Sequence, residues 1–245
     1  GMDYAFGKLR KALRTLGIHD NTILWYCSDN GGLDAKTSGG RGRKGSIYEG
    51  GLRVPGILEW PARIPGHRVT DVPCNTSDIY PTLLDLLGVQ MPGQPPLDGI
   101  SLVPLIKGKM KSRPAAMGFW SHPTGGISTP SAKWMAELLK AQKAGKEPGH
   151  KERLRLDAGE IKKQYPTDTF PGHAAWLDWP WKLHRRQGKG GGRPRLELYN
   201  LADDPGEKKN LADQQPDRVK TLRAALEDWL ASVVHSLNGK DYRDA

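Results

Sequence analysis

Residues 23–55 read ILWYCSDNGGLDAKTSGGRGRKGSIYEGGLRVP, and the predictions for the rest of the chain start from this stretch. It opens with an apolar run, residues 23–27, that has no polar alternation. Such a run is typical of a strand covered on both faces in a parallel α/β sheet. The run ends at Ser28, Asp29 and Asn30, which two glycines follow. Because α/β proteins bind ligands at the carboxyl ends of parallel strands, Asp29 and Asn30 are predicted to face a ligand crevice.

The residue types at 29 and 30 indicate which ligand such a crevice would hold. A carboxylate beside a carboxamide offers two hard oxygen ligands, which suit Ca²⁺ or Mg²⁺ better than zinc. Calcium takes about six to eight oxygens, so further ligands would have to come from elsewhere. The alternative is that Asp-Asn-Gly-Gly is simply a turn, since Asn and Gly tolerate positive φ.

The loop at 38–51 is rich in glycine and carries the positive charges of Arg41, Arg43 and Lys44. Glycines let a backbone approach an anion closely. Lysine is a compact point charge suited to a tetrahedral oxyanion such as sulfate or phosphate. The order of residues is not that of a Walker phosphate loop. A flexible loop with incidental charge remains the alternative.

Composition and charge narrow the class of protein. The 245 residues suffice for one large domain or two smaller ones, and the 30 glycines and 19 prolines predict long irregular connections. The net charge of +10 is concentrated in residues 107–200, where 19 basic residues face 8 acidic ones. Such an excess suits an anionic partner, although a solvated lysine-rich surface would look the same.

The two cysteines, Cys27 and Cys74, have no metal-type spacing. We expect both to be buried thiols, with a single disulfide as the alternative. No apolar run approaches the roughly 20 residues of a membrane span, so no membrane partner is predicted.

Hydrophobic periodicity and turn residues predict the remaining elements and divide the chain. We expect the α/β core at 1–113 and a small α+β subdomain at 114–245, with a surface insertion at 125–172. Predicted helices lie at 4–16, from Thr76 or Ser77 to 87, at 132–144, 152–165 and 216–236. Predicted strands lie at 23–27, 52–60, 115–121, 174–179, 181–185 and 196–201.

Several motifs in one order resemble a known family. The segments SDNG at 28–31 and RGRKGSIYEGGLRVP at 41–55 closely resemble the second half of the formylglycine-dependent sulfatases of the alkaline phosphatase superfamily. The same resemblance extends to SDIYPTLL at 77–84, LDGISL at 97–102, WKL at 181–183, LYNL at 198–201, DPGE at 204–207 and NLA at 210–212. It covers nearly the whole chain except residues 125–172.

The resemblance implies an alkaline phosphatase-like α/β core and an arylsulfatase-like activity on a sulfated small molecule or carbohydrate. It implies that Asp29 and Asn30 are metal ligands, usually for Ca²⁺ (or Mg²⁺), and that Lys44 contacts the sulfate ester. Glu49 and Arg53 would support the loop and the sheet. The full-length parent would be periplasmic or extracellular.

His122 and His173 lie at the margin of the predicted small sheet, which in this family borders the substrate pocket. Both are therefore candidate substrate-binding residues. The alternative is that they are surface or packing residues.

The departures from the family pattern concern the nucleophile. The family uses a cysteine in Cys-x-Pro-Ser/Ala-x-Arg, but Cys27 is followed by Ser-Asp-Asn and Cys74 by Asn-Thr-Ser. The paired aspartates and the His-bearing stretch of the family's first half have no counterpart either. We therefore expect a C-terminal piece that is inactive alone, binds calcium weakly or not at all, and covers its truncated core by forming a homo-oligomer.

Two further functions remain open. A phosphodiesterase or phosphonate hydrolase of the same superfamily would share the Asp-Asn metal pair. A non-catalytic binder of sulfated polysaccharide would use the basic middle segment. Nucleic acid is not a predicted partner, because no recognised nucleic-acid motif is present.

Overall fold

The computed structural model describes residues 1–123, 131–146, 164–188, 190 and 192–241. The helices are α1 (Met2–Thr15), α2 (Glu49–Leu52), α3 (Ile79–Leu87), α4 (Val103–Ile106), α5 (Ser131–Lys143) and α6 (Pro216–Leu237). The strands are β1 (Leu24–Cys27), β2 (Gly56–Glu59), β3 (Met117–Ser121), β4 (His173–Asp178), β5 (Trp181–Arg186) and β6 (Arg195–Asn200). Most of the predicted elements are therefore confirmed. The predicted helix at 152–165 lies largely outside the described residues.

Helix α1 is closed by a glycine just after its last turn. Gly17 adopts φ +68, its N–H donates to the Arg14 carbonyl, and the Ile18 N–H donates to the Leu13 carbonyl. This pair of bonds is the Schellman arrangement, which satisfies the last carbonyls of a helix. Two hydrogen bonds from Arg10 to Glu59, at 2.7 and 2.8 Å, then tie the helix to β2.

Strands β1 and β2 correct the predicted parallel sheet. They pair antiparallel, with Leu24 opposite Glu59 and Cys27 opposite Gly56, and every residue of β1 is only half-buried. The predicted second strand begins later than expected, because Leu52 ends helix α2 and Pro55 precedes the first paired residue. The apolar run therefore does not indicate whether its partner strand is parallel or antiparallel, because a connection of 28 residues allows either direction.

The turn before α3 is capped by Asn75, one residue earlier than predicted. The Asn75 side chain accepts from the Ser77 N–H, and the Asp78 carboxylate accepts from the Asn75 N–H. This reciprocal capping box satisfies two donors at once. The Arg113 side chain is buried and donates two hydrogen bonds to the Asp78 carboxylate, at 2.7 and 2.8 Å.

The four-stranded antiparallel sheet has the order β3-β4-β5-β6. One face packs against α6, whose buried stripe is Leu222, Leu226, Leu230 and Val234. Because side chains alternate along a strand, residues 182 and 184 of β5 point to the opposite face, toward Tyr48. The sheet is thus sandwiched between α6 and the glycine-rich loop, and this arrangement positions the candidate site.

Three other predictions concern the surface of the chain. Cys27 is half-buried as a free thiol, whereas Cys74 is exposed, so the expectation that both are buried is wrong for Cys74. Among the described residues, no helix has the length and apolarity needed to cross a membrane. Helix α1 buries none of its residues, and the leucines at 83 and 87 are exposed. That a second copy covers this apolar surface stays a prediction, as does the division of the chain after residue 113.

Candidate anion site and the polar network behind it

Asp29 and Asn30 follow β1 directly and lie at the surface. Asp29 is exposed and Asn30 half-buried. The Asn30 amide donates to Asp29 Oδ2 at 2.6 Å, and the Ser28 hydroxyl donates to the Asn30 carbonyl at 2.8 Å. The two side chains therefore sit together as a pair of oxygen-bearing groups.

The glycine-rich loop folds back onto this pair through its backbone. The Lys44 N–H donates to the Gly32 carbonyl at 2.9 Å, and the Gly31 N–H donates to the Gly51 carbonyl at 2.9 Å. These bonds bring the backbone of Lys44 within two residues of Asn30, and its side chain is exposed. Three of the five predicted site residues, Asp29, Asn30 and Lys44, therefore lie on two loop segments that backbone hydrogen bonds join.

Glycine is required here by close backbone packing. A Cβ on Gly31 would lie 1.9 Å from the Gly50 carbonyl oxygen, and a Cβ on Gly51 would lie 2.0 Å from the Ser46 carbonyl oxygen. Carbon and oxygen cannot approach that closely, so a side chain at either position would force the packed backbone segments of the loop apart. At these positions the glycines allow the loop to fold on itself, rather than clearing space for an anion.

A buried lysine fixes the loop to the small sheet. Lys182 of β5 is fully buried and donates to Glu49 Oε1 at 2.7 Å, while its Nζ lies 3.2 Å from Glu207 Oε1. The backbone N–H of Glu49 donates to Glu207 Oε2 at 2.7 Å. Glu207 adopts φ +52, and its carboxylate lies between α2 and β5. Burial raises the pKa of Glu207, and Lys182 and the Glu49 N–H oppose that shift.

His173 and His184 extend the network along the sheet. His173 Nε2 lies 2.9 Å from His184 Nδ1, and His184 Nε2 lies 2.6 Å from Glu207 Oε1. Burial, followed by the neighbouring His184 and Arg186, lowers the pKa of His173 to about 3. Burial and then Lys182 place the pKa of His184 well below 6.5. Both rings are therefore neutral near pH 7, and each carries its proton on Nε2 if the chain of hydrogen bonds runs toward Glu207.

Arg41 joins the loop to a second buried carboxylate. Its guanidinium lies 3.9 Å from the centroid of the Tyr48 ring and donates to Glu197 Oε2 at 3.1 Å. The hydroxyls of Tyr48 and Tyr199 donate to the same oxygen at 2.7 and 2.9 Å. Burial opposes ionisation of Glu197, but these hydroxyls and Arg41 hold its pKa at about 2. Glu197 is therefore a carboxylate, and it anchors the start of the loop.

The structure separates the two candidate histidines. The His173 ring contacts Tyr48, with 5.0 Å between centroids, on the loop side of the sheet. His122 contacts Trp120 and Tyr165, at 5.1 and 5.4 Å, on the side of α6. His173 is thus part of the polar network, and His122 is not brought to it. Substrate contact by either histidine stays a prediction.

The sequence does not indicate which residues hold this network together. From the sequence Arg41 is only one of three positive charges in the loop, and no pattern predicts the contacts of Lys182, His184, Glu197 and Glu207. Two signals were available, because WKL at 181–183 and DPGE at 204–207 each place a charged residue in a motif. Glu49 does contact the sheet as expected, whereas Arg53 is exposed.

The donor set at Asp29 and Asn30 was tested against the divalent ion that the resemblance implies. Both side chains offer hard oxygens, which suit Ca²⁺ in type. Within the described residues, however, no group of three or more His, Cys, Asp or Glu side chains could hold a metal ion.

Comparison with known proteins shows what the chain is similar to in sequence and in fold. The sulfatase family model matches residues 1–89. Human arylsulfatase D is 38% identical over 120 residues, which are 44% of this chain and 20% of that protein. A solved protein in complex with its substrate D-glucosamine-2-N,6-O-disulfate is 21% identical with a TM-score of 0.62, covering 99% of this chain and 40% of that one. The phosphonate monoester hydrolase of Agrobacterium radiobacter is 23% identical with a TM-score of 0.53, covering 98% of this chain and 39% of that one.

The fold is therefore the alkaline phosphatase-like α/β fold, and the predicted fold class is confirmed. Within that class the chain is sulfatase-like, since the family model and the curated relatives are sulfatases. Sulfatases generally use a divalent metal. The chain spans about one fifth of the length of the curated relatives it matches.

Proposed function

We propose that this chain carries the sulfate-recognition loop of an enzyme that hydrolyses sulfate esters, with Lys44 as the residue that binds the ester. The observation that carries the proposal is the pair of backbone hydrogen bonds from Lys44 to Gly32 and from Gly31 to Gly51. They bring the backbone of Lys44, whose side chain is exposed, close to the segment that carries Asp29 and Asn30.

Each part of the loop has a distinct task in this proposal. Lys44 neutralises one negative charge of the sulfate and orients it, which is the role that a compact cation serves best. The network of Lys182, Glu49 and Glu207 holds the loop rigid, so that little ordering is left for the moment of binding. A divalent ion, where bound, would supply further positive charge at the ester. Neither cysteine of this chain lies in the nucleophile pattern, so we expect no turnover of 4-nitrophenyl sulfate by this chain assayed alone.

The experiment is a titration of the ¹⁵N-labelled chain with 4-nitrophenyl sulfate, followed through the amide shifts of residues 39–51. Lys44→Gln is expected to weaken binding about tenfold, the usual scale for one charged hydrogen bond. Lys36→Gln is the matched control, since Lys36 is an exposed lysine a few residues away. Equal affinity in the Lys44→Gln variant would remove the basis for the proposal.

A parallel titration with 4-nitrophenyl phenylphosphonate, a phosphonate monoester, separates the two esterase classes. We expect the sulfate ester to bind more tightly, because it offers three unesterified oxygens to the lysine where the phosphonate monoester offers two. Tighter, Lys44-dependent binding of the phosphonate monoester would instead favour a phosphonate hydrolase.

The charge around Glu197 supports a sulfated carbohydrate chain as the larger ligand. Arg41, Arg186 and Arg195 approach its carboxylate, at 3.1, 3.6 and 3.5 Å. Three cations around one carboxylate leave a surplus of two positive charges (3 − 1 = +2). Arg186 and Arg195 are also direct cross-strand partners, and like charges placed so are unfavourable unless an anion offsets them. The same surface would serve a non-catalytic binder of sulfated polysaccharide, which is the second candidate function.

Binding to immobilised heparin tests this surface. The double variant Arg186→Gln/Arg195→Gln is expected to elute at clearly lower salt than the wild type, because fewer counterions are exchanged. Lys140→Gln/Lys143→Gln on α5 removes the same charge from another exposed surface and is the control. If both double variants elute together, net charge rather than this arginine cluster explains any binding.

A further inference from the structure

A cavity of about 260 Å³ opens at the end of the four-stranded sheet, on the side of α6. It lies on the other face of the sheet from Tyr48 and the glycine-rich loop, because Trp120 packs with Leu226 and Leu230 of α6. The residues that matter for its chemistry are Trp120, His122, Tyr165, Asp168, Phe170 and Arg185. Its volume is near the lower end of small-molecule pockets, which begin at about 300 Å³, so it would take one ring rather than a chain.

Two buried nitrogen atoms border this cavity without a hydrogen-bond partner among the described residues. They are His122 Nδ1 and Arg185 Nε. Buried polar atoms are nearly always paired, so each such atom calls for an explanation. Arg185 is held in place by the Phe170 carbonyl, 2.6 Å from its Nη1, and by Glu227 at 3.5 Å. The Arg185 Nε atom is the one that faces Glu227 Oε1, so His122 Nδ1 is the buried nitrogen left beside the cavity for a ligand.

The aromatic walls are fixed as well. The rings of Trp120 and Phe170 meet edge to face, 6.2 Å apart at 81°, and those of His122 and Tyr165 meet at 82°. The Trp120 indole N–H donates to the Pro171 carbonyl at 2.8 Å, which locks that ring. Rigid aromatic side chains give a ligand contact area at little cost in conformational entropy.

We propose that this cavity binds a single monosaccharide unit. Aromatic faces suit the C–H face of a pyranose, and the cavity is lined by the His122 ring nitrogen, the Asp168 carboxylate and the Arg185 guanidinium, which can exchange hydrogen bonds with hydroxyl groups. The charge of Arg185 is offset by Glu227, so the pocket does not select a bare anion. The site does not depend on the proposed sulfate chemistry, since it faces away from Lys44's loop and is tested by binding alone.

The test is an NMR titration with methyl β-D-galactopyranoside and, separately, N-acetylglucosamine, with inorganic sulfate and cyclohexanol as comparison ligands. The readout is the indole N–H signal of Trp120, assigned through Trp120→Phe among the 8 tryptophans of the chain. At least one sugar is expected to give a saturable shift. His122→Phe keeps the ring but removes the donor, and Arg185→Gln removes the cation; each is expected to weaken sugar binding at least about tenfold. Arg218→Gln is the control and is expected to bind like the wild type. Arg218 lies over the Trp181 ring, on the side of the sheet that packs against α6.

Three results would overturn the proposal. The first is the absence of a saturable shift with either sugar in the folded wild type. The second is sugar affinity that is equal in His122→Phe, Arg185→Gln and Arg218→Gln, which would place binding elsewhere. The third is stronger binding of sulfate or cyclohexanol than of the sugars, which would make the cavity an anion or general apolar site.

Discussion

Replacing Lys182 with methionine is expected to lower the free energy of unfolding by about 3–5 kcal/mol, the usual cost of removing one partner from a buried ion pair. Lys182 is fully buried and contacts two carboxylates, those of Glu49 and Glu207. Methionine has a similar length but no charge, so the variant would leave both carboxylates without their cation. Urea unfolding followed by tryptophan fluorescence measures the change.

Two further variants separate the loss of the ion pair from the loss of packing. Lys220→Met removes an exposed lysine of α6 and is expected to leave stability unchanged. Adding Glu207→Gln to Lys182→Met removes one of the two carboxylates that have lost their cation. The double variant is expected to recover part of the lost stability, because the effects of substitutions at contacting residues are not additive. Additive effects of the two substitutions would show that Lys182 and Glu207 do not act as a pair.

Replacing Gly51 with alanine is expected to destabilise the chain by about 3 kcal/mol or more, beyond the usual range for one added methyl group. The new Cβ would lie 2.0 Å from the Ser46 carbonyl oxygen and 2.7 Å from the Arg43 carbonyl oxygen. Both are backbone atoms, so neither can rotate away. The loop that carries Lys44 would have to open, and the variant is therefore expected to lose binding of 4-nitrophenyl sulfate together with stability.

Two glycines elsewhere provide graded controls for this prediction. Gly45 has φ +85 but no atom near its would-be Cβ, so Gly45→Ala is expected to cost only the backbone strain of about 1 kcal/mol. Gly66 has neither a positive φ nor a neighbouring atom, so Gly66→Ala is expected to be neutral. An order of stability other than Gly66→Ala, Gly45→Ala, Gly51→Ala would contradict the packing argument.

The prediction of elements succeeded where local physics dominates. Helix α6 was predicted almost to its ends because Leu222, Leu226 and Leu230 recur at helical spacing and Pro216 suits the first turn. The small sheet was predicted strand by strand from short apolar runs separated by turn residues. The direction of β2 was not predicted, since an apolar run looks the same whether its partner strand is parallel or antiparallel.

The sequence by itself determined the fold class, the position of the sulfatase-like motifs and the pairing of a carboxylate with an amide at 29 and 30, because these depend on residue type and on neighbours along the chain. Only the tertiary structure decided what the charged residues do. Lys182 and Glu207 contact Glu49 across 133 and 158 residues of sequence, and His122 and His173 lie on opposite sides of one sheet. A buried lysine and a solvated one look alike in a sequence, since burial depends on which distant segments fold over it.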